Sequence, residues 1–153
     1  MGFFMRLVPL KAEMLLKLEK MDVVDGEPIK GLATLESRDK FKVENIRLEI
    51  RVHDIYTELK KVDDDARSGR SHTEQSTVHS RVLSQDQNVT LAESFDVGSG
   101  DKRDFPFEVM IPRYSSSSIG GRIRYSLKAV AGVKGRPDVT KEVNPNILPL
   151  KGI

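Results

Sequence analysis

Three histidines, His53, His72 and His79, lie close in the chain to Asp54 and to the triplet Asp63-Asp64-Asp65. Imidazole and carboxylate together are ligands for a divalent metal, and a serine beside a histidine and an aspartate is the constellation of a hydrolase. The spacing supports neither chemistry. No two histidines stand four apart, as one face of a helix requires, and the triple Asp lacks the alternating ligands and central glycine of a calcium loop. The run Ser115-Ser116-Ser117-Ser118 sits in no Gly-x-Ser-x-Gly elbow. It reads as a flexible loop, and the histidines read as solvated surface groups. A hydrolase built from one of these serines with His79 and an Asp is the weakest of the readings, and no metal or cofactor is implied.

Basic and glycine-rich stretches need the same test. Gly98-x-Gly100 and Gly120-Gly121 fall between segments of strand character, whereas a phosphate cradle needs several glycines between a strand and a helix; they read as turns. Arg67, Arg70 and Arg81 stand beside the acidic run, which cancels much of their field. Arg122, Arg124 and Lys128 differ, because positions i, i+2 and i+6 of a strand share one side. They are the candidate surface of a small-ligand or phosphate-binding regulatory domain.

Composition narrows the partners. The 153 residues carry 25 Lys and Arg against 23 Asp and Glu, a net charge of +2, so no general field draws in nucleic acid, and none is expected as a partner. Nine aromatic rings, three Tyr and six Phe without Trp, offer little for base stacking. Cysteine is absent, which excludes disulfides, thiolate metal sites and cysteine nucleophiles together and makes the cytosol the expected compartment. Met1 to Leu7 has Arg6 inside its apolar run and resembles neither a signal peptide nor a span. Arg6 also stands where a myristoylation motif wants Ser or Thr, and the sequon Asn88-Val89-Thr90 would matter only in a secreted protein.

The elements that must position these residues are strands. Ile46, Leu48, Ile50 and Val52 interleave with Arg47, Glu49, Arg51 and His53, an alternation that a helix would scatter around its circumference. One wet face favours an antiparallel sheet. Phe105, Phe107, Val109 and Ile111 alternate with Pro106, Glu108 and Met110; Ile123, Tyr125, Leu127 and Ala129 alternate with Arg122, Arg124, Ser126 and Lys128. The two runs read as an edge-exposed hairpin unit, with Pro106 and Pro112 where an amide would face away from any partner. Met14, Leu16 and Leu18 mark a strand ending at Asp25-Gly26-Glu27-Pro28, and Ile29 to Glu36 forms a hairpin with it.

Further strands are expected around Val78 to Leu83 and Val89 to Val97, with turns at Gly98-Ser99-Gly100-Asp101 and at Gly132 to Asp138, and then over Val139 to Val143. Lys60 to His79 reads as a long mobile loop, with a turn or two of helix through Ile55, Leu59 and Val62 as its alternative. The count is about eight strands in residues 1–153, one immunoglobulin-like antiparallel β-sandwich domain, all-β, large enough to bury roughly 68–70% of its unfolded surface. Phe3-Phe4-Met5 and the tail Pro145 to Ile153 hold more apolar surface than termini usually leave in water. Either they cap the sandwich, or they form an oligomer contact or a weak membrane-surface anchor.

Three stretches give a family resemblance. Val24-Asp25-Gly26-Glu27-Pro28-Ile29-Lys30-Gly31 is similar to the pro-gly-glu turn and glycine-started strand of the arrestin fold, with Asp25 in place of the usual Pro. Phe105-Pro106-Phe107-Glu108-Val109-Met110-Ile111-Pro112 resembles its phe-pro-phe strand ending in leu-pro, with Ile111 for Leu. Gly121 to Ala129 resembles the strand that follows. Taken in order, these match the N-terminal half of the arrestin superfamily and look most like its prokaryotic sporulation-control branch. The resemblance implies a sandwich of the arrestin N-domain type, acting as a non-enzymatic scaffold or adaptor for a protein partner. Longer relatives continue into a second sandwich, so a single one is expected to dock a partner, or a second copy of itself, on an open strand edge or sheet face.

Overall fold

A computed structural model describes residues 10–62, 73–83 and 87–150, with the side chains at 58–62 and 73–77 left aside. The described residues form strands and no helix. Alternation builds the core as expected. In β5 (Asn45–Val62), Ile46, Leu48, Ile50 and Val52 are buried, while Arg47, Glu49 and Arg51 between them are half-buried on the other face. In β10 (Arg122–Gly132), Tyr125, Leu127, Ala129 and Ala131 meet them from the neighbouring strand. The opposing layer supplies Met14 and Leu16 from β1 (Ala12–Leu18), Ile29, Ala33 and Leu35 from β3 (Ile29–Ser37), and Phe107 and Val109 from β9 (Lys102–Val109). Each large aliphatic side chain buried this way contributes about 1.5–3 kcal/mol.

One sheet therefore runs β1-β3-β9, antiparallel throughout. The other runs β11 (Val139–Val143), β10, β5, β6 (Thr73–Val82), and β7 (Gln87–Ala92) pairs with β5 as well. The long β5 serves both: residues Ile46 to Ile50 pair with β7, and His53 to Val62 pair with β6. Two small pairings close the ends, β4 (Phe41–Val43) with β8 (Phe95–Val97), and β2 (Asp22–Val24) in parallel with β12 (Asn146–Leu148). This is the all-β, immunoglobulin-like sandwich that the sequence predicts.

Gly31 shows why one of its motifs has the residue it has. It lies between Leu18 and Phe107 in the first sheet, and a Cβ there would come within 2.5 Å of the Phe107 ring and 2.7 Å of the Lys17 carbonyl oxygen. Only a residue without a side chain lets the ring lie over the strand.

Four expectations are corrected. Phe105 to Ile111 and Ile123 to Ala129 are not hairpin partners: β9 joins β3 in one layer and β10 joins β5 in the other. Ile111 is buried and the Tyr114 amide donates to the Tyr125 hydroxyl at 2.8 Å, so the connection crosses between layers instead of turning back. Lys60 to His79 is not one loop: pairing runs without a break from His53↔Val82 to Val62↔Thr73, which also removes the helical alternative, and residues 63–72 lie outside the described residues. Strand character is hidden there because β6 pairs only with β5 among the described residues, and Val78, Ser80, Arg81 and Val82 on it are exposed, so little demands apolar alternation. The single strand expected around Val89 to Val97 is two, β7 ending at Ala92 and β8 starting at Phe95, and β7 docks on β5 as β6 does. The strands number twelve among the described residues, the short β2, β4, β8 and β12 being too brief for a period to show.

The described part of the C-terminal tail, to Leu150, caps the sandwich. Pro145 and Ile147 are buried and Asn146 to Leu148 pair with Asp22 to Val24, while Leu148 and Leu150 stay exposed. Phe3-Phe4-Met5 lies outside the described residues, and among those described no helix is long and apolar enough to cross a membrane.

Candidate functional site

The inner row of β5 runs Ile46, Leu48, Ile50, Val52 and then, at the same parity, Asp54. A carboxylate at a core position needs donors, and it has four. Its Oδ1 accepts from the Ser116 hydroxyl at 2.5 Å; its Oδ2 accepts from Arg81 Nη2 at 3.0 Å and from the Ser117 amide and hydroxyl at 3.3 Å each. Arg81 also donates to the Ser117 hydroxyl. Its guanidinium lies 5.6 Å from the Tyr56 ring centre, and Tyr56 stacks on His79 at 5.2 Å. The carboxyl of Asp54, fully buried, is held below the usual carboxylate range, first by the Ser116 hydroxyl and then by the Ser117 amide, Arg81 and the Ser117 hydroxyl, all working against the burial that pushes it up.

Such a group is a clamp. A carboxylate of lowered basicity cannot take the proton from a serine, and the two serines donate to it directly with no imidazole between them. The expected flexible loop at Ser115 to Ser118 is thereby corrected: it is tied down from below, and it ends in a turn where Gly120 takes φ 79° and the Gly121 amide donates to the Ser118 carbonyl at 3.0 Å. The signal for this clamp was present in the sequence as an acid interrupting an apolar parity. Without the third strand and the distant loop nothing said what it would hold.

The histidines do not converge. His53 lies on the outer face of β5, opposite to Asp54; His79 sits against Tyr56; His72, like Asp63 to Asp65, Arg67 and Arg70, lies outside the described residues. Among the described residues no group of three or more histidines and acids could hold a metal. Gly98 and Gly100 form the expected turn, the Gly98 amide donating to Asp101 Oδ2 at 2.6 Å.

Arg122, Arg124 and Lys128 do share the outer face of β10, but their surroundings differ. Arg122 and Arg124 are exposed, across from Ile55 and His53. Lys128 is half-buried in a row between Glu49 and Glu142, which place two carboxylates beside it. Farther along that face Glu49 pairs with Arg47 at 2.9 Å and with Arg51 at 4.0 Å, and Asp138 pairs with Arg47 at 3.5 Å. Two clefts open at the sandwich ends, one of ≈ 560 Å³ between Leu10 to Glu13 and Gly100 to Lys102, one of ≈ 410 Å³ between Arg113 to Ser116 and Asn146 to Pro149.

This arrangement of layers and turns can be set beside known proteins. The family model for the N-terminal domain of arrestin (or S-antigen) matches residues 16–150. The chain belongs to the arrestin N-terminal domain family. Among solved structures it is similar to Spo0M, a sporulation control protein from Bacillus subtilis, with a TM-score of 0.62 and 17% identity over 92% of this chain and 50% of that one. At that identity the likeness is one of fold, and the chain spans half the length of that protein. No curated protein sequence matches. The expected arrestin resemblance is thus borne out at the level of the family, and the sporulation control protein shares the fold. In this arrestin domain the three motif stretches acquire positions: Val24 to Gly31 is the turn into the strand that carries Gly31, Phe105 to Pro112 is the edge strand and its exit, and Gly121 to Ala129 enters the centre of the second sheet.

Proposed function

We propose that this chain is a non-enzymatic regulatory adaptor domain that recruits a protein partner through an open strand edge or an exposed sheet face. The observation that supports this best is where its reactive side chains are spent. Asp54, Arg81, Ser116 and Ser117 hold one another, whereas β9 and β6 end their sheets with no further strand among the described residues, β1 and β11 lying against each other at the opposite side. Unpaired amides along such an edge are already aligned to accept another strand. A second copy of the chain is one occupant of that kind, and light scattering at high concentration distinguishes it from a different protein. The lack of cysteine fits work in the cytosol.

Affinity capture from native lysate tests the reading, using the full chain and one with residues 63–72 shortened. A saturable protein partner held by both is the expected result and moves the contact onto the sheets. Turnover in a broad substrate screen, with no partner recovered, overturns it. The exposure of Arg122 and Arg124 favours a second reading, a small-anion regulatory site. Under it, inorganic phosphate raises the melting temperature of the wild type and not of a variant with Arg122, Arg124 and Lys128 changed to Gln.

A further inference from the structure

The outer face of the larger sheet is divided along its length. At one end every described acid stands beside a base: Glu49 with Arg47 and Arg51, Asp138 with Arg47, Glu49 and Glu142 flanking Lys128. At the other end the register aligns Arg124, His53 and Val82 in one row and Arg122, Ile55 and Ser80 in the next. No described acid lies in either row. Val78 and Val82 are 69% and 52% exposed there, and the Ser80 hydroxyl meets His53 Nδ1 at 3.4 Å. Two arginines with no ion pair among the described residues, one strand removed from exposed valines on the same three-strand face, combine the charge and the apolar contact that a protein interface uses, with Arg the charged residue enriched at such sites.

We propose that this end of the face, around Val78, Val82, Arg122 and Arg124, docks an acidic, aliphatic-rich segment of a protein partner. The inference rests on the adaptor reading and names its surface and the chemistry of its partner. Charge complementarity selects the occupant. Carboxylates on an incoming segment can each take a guanidinium in bidentate geometry, while its aliphatic side chains cover the valines. An anionic membrane is less well matched, since surface recruitment takes about four to eight clustered basic residues. Here two arginines adjoin a neutralised network.

The test uses the full chain, isotopically labelled, and two short synthetic peptides, one alternating glutamate with valine or leucine, the other with glutamine for glutamate. The glutamate peptide is expected to shift the amide signals of Val78 to Val82, His53 to Ile55 and Arg122 to Arg124. In the variant R122Q/R124Q its affinity falls about tenfold or more, the order seen when charged interface contacts are removed, and the glutamine peptide binds neither protein. Both arginines are exposed, so an unchanged remainder of the spectrum reports that the variant is folded. The surface assignment is overturned by no binding of the acidic peptide, by shifts elsewhere, by equal affinity in the variant, or by wild-type binding to phosphatidylserine vesicles in preference to the peptide. Capture of the same lysate partner by wild type and variant alike overturns this surface while leaving the adaptor reading standing; loss of any partner from the wild type removes the adaptor reading itself.

Discussion

Asp54 is the residue whose chemistry is most specific. Its carboxylate ties β5 to β6 through Arg81 and to the loop after β9 through Ser116 and Ser117, so one charge fixes three segments far apart in sequence. Changing Asp54 to Asn keeps the shape and removes the charge. The expected outcome is faster amide exchange at Ser117 and Ser118 and a lower midpoint in urea, with the sheets still formed. The pH dependence follows from the direction of the shift: a folded value below the unfolded one gives stability that is present above the unfolded value and is lost as pH falls through the folded value. Wild type and D54N should therefore differ at neutral pH and converge in acid. A difference that persists unchanged in acid would mean that the charge is not what holds the loop.

At the scale of single elements, Gly31 and Pro106 decide how the first sheet is built and how it is protected. A methyl group at position 31 would meet the Phe107 ring and the Lys17 carbonyl, so Gly31→Ala should cost about 1–3 kcal/mol, the usual range for overpacking, measured by urea denaturation. Pro106 is paired with Leu32 on the outermost strand, and its missing amide leaves a gap in the open edge, which the exposed charges of Lys102, Arg103, Asp104 and Glu108 protect further. Pro106→Val restores the donor. Sedimentation velocity should then show more self-association than the wild type at the same concentration; a variant that associates no more than its parent would show that the charges alone suffice.

Over the whole molecule, closure depends on the last described strand, β12, returning to β2 near the start of the chain. Ile147 on β12 pairs beside Val23 on β2, and both side chains are buried. Ile147→Ala should lower stability by about 2–5 kcal/mol through the cavity it leaves, read from the denaturation midpoint. A destabilisation well under 1 kcal/mol would show that the tail is an appendage and not part of the core. The same closure is non-local, as are the pairings of β5 with β10 and of β3 with β9. Refolding in the millisecond-to-second range is the corresponding expectation for a sandwich of this kind.

Side-chain periodicity is a local property, and it was enough to identify the strands at Met14 to Leu18, Ile46 to Val52, Phe105 to Val109 and Ile123 to Ala129, together with which of their residues are buried, because each pleat faces the same layer along its length. The ordered motifs added the family. Partner choice between strands is a long-range property, and there the local pattern misled: adjacent runs that looked like a hairpin belong to opposite layers, and the described ends of a polar stretch that looked like a loop are paired strand at the edge of the larger sheet. The clamp at Asp54 and the split of the basic face into a neutralised end and an open end likewise exist only once β5, β6, β10 and the serine loop are brought together, since the meaning of a charge is set by the neighbours that the fold supplies.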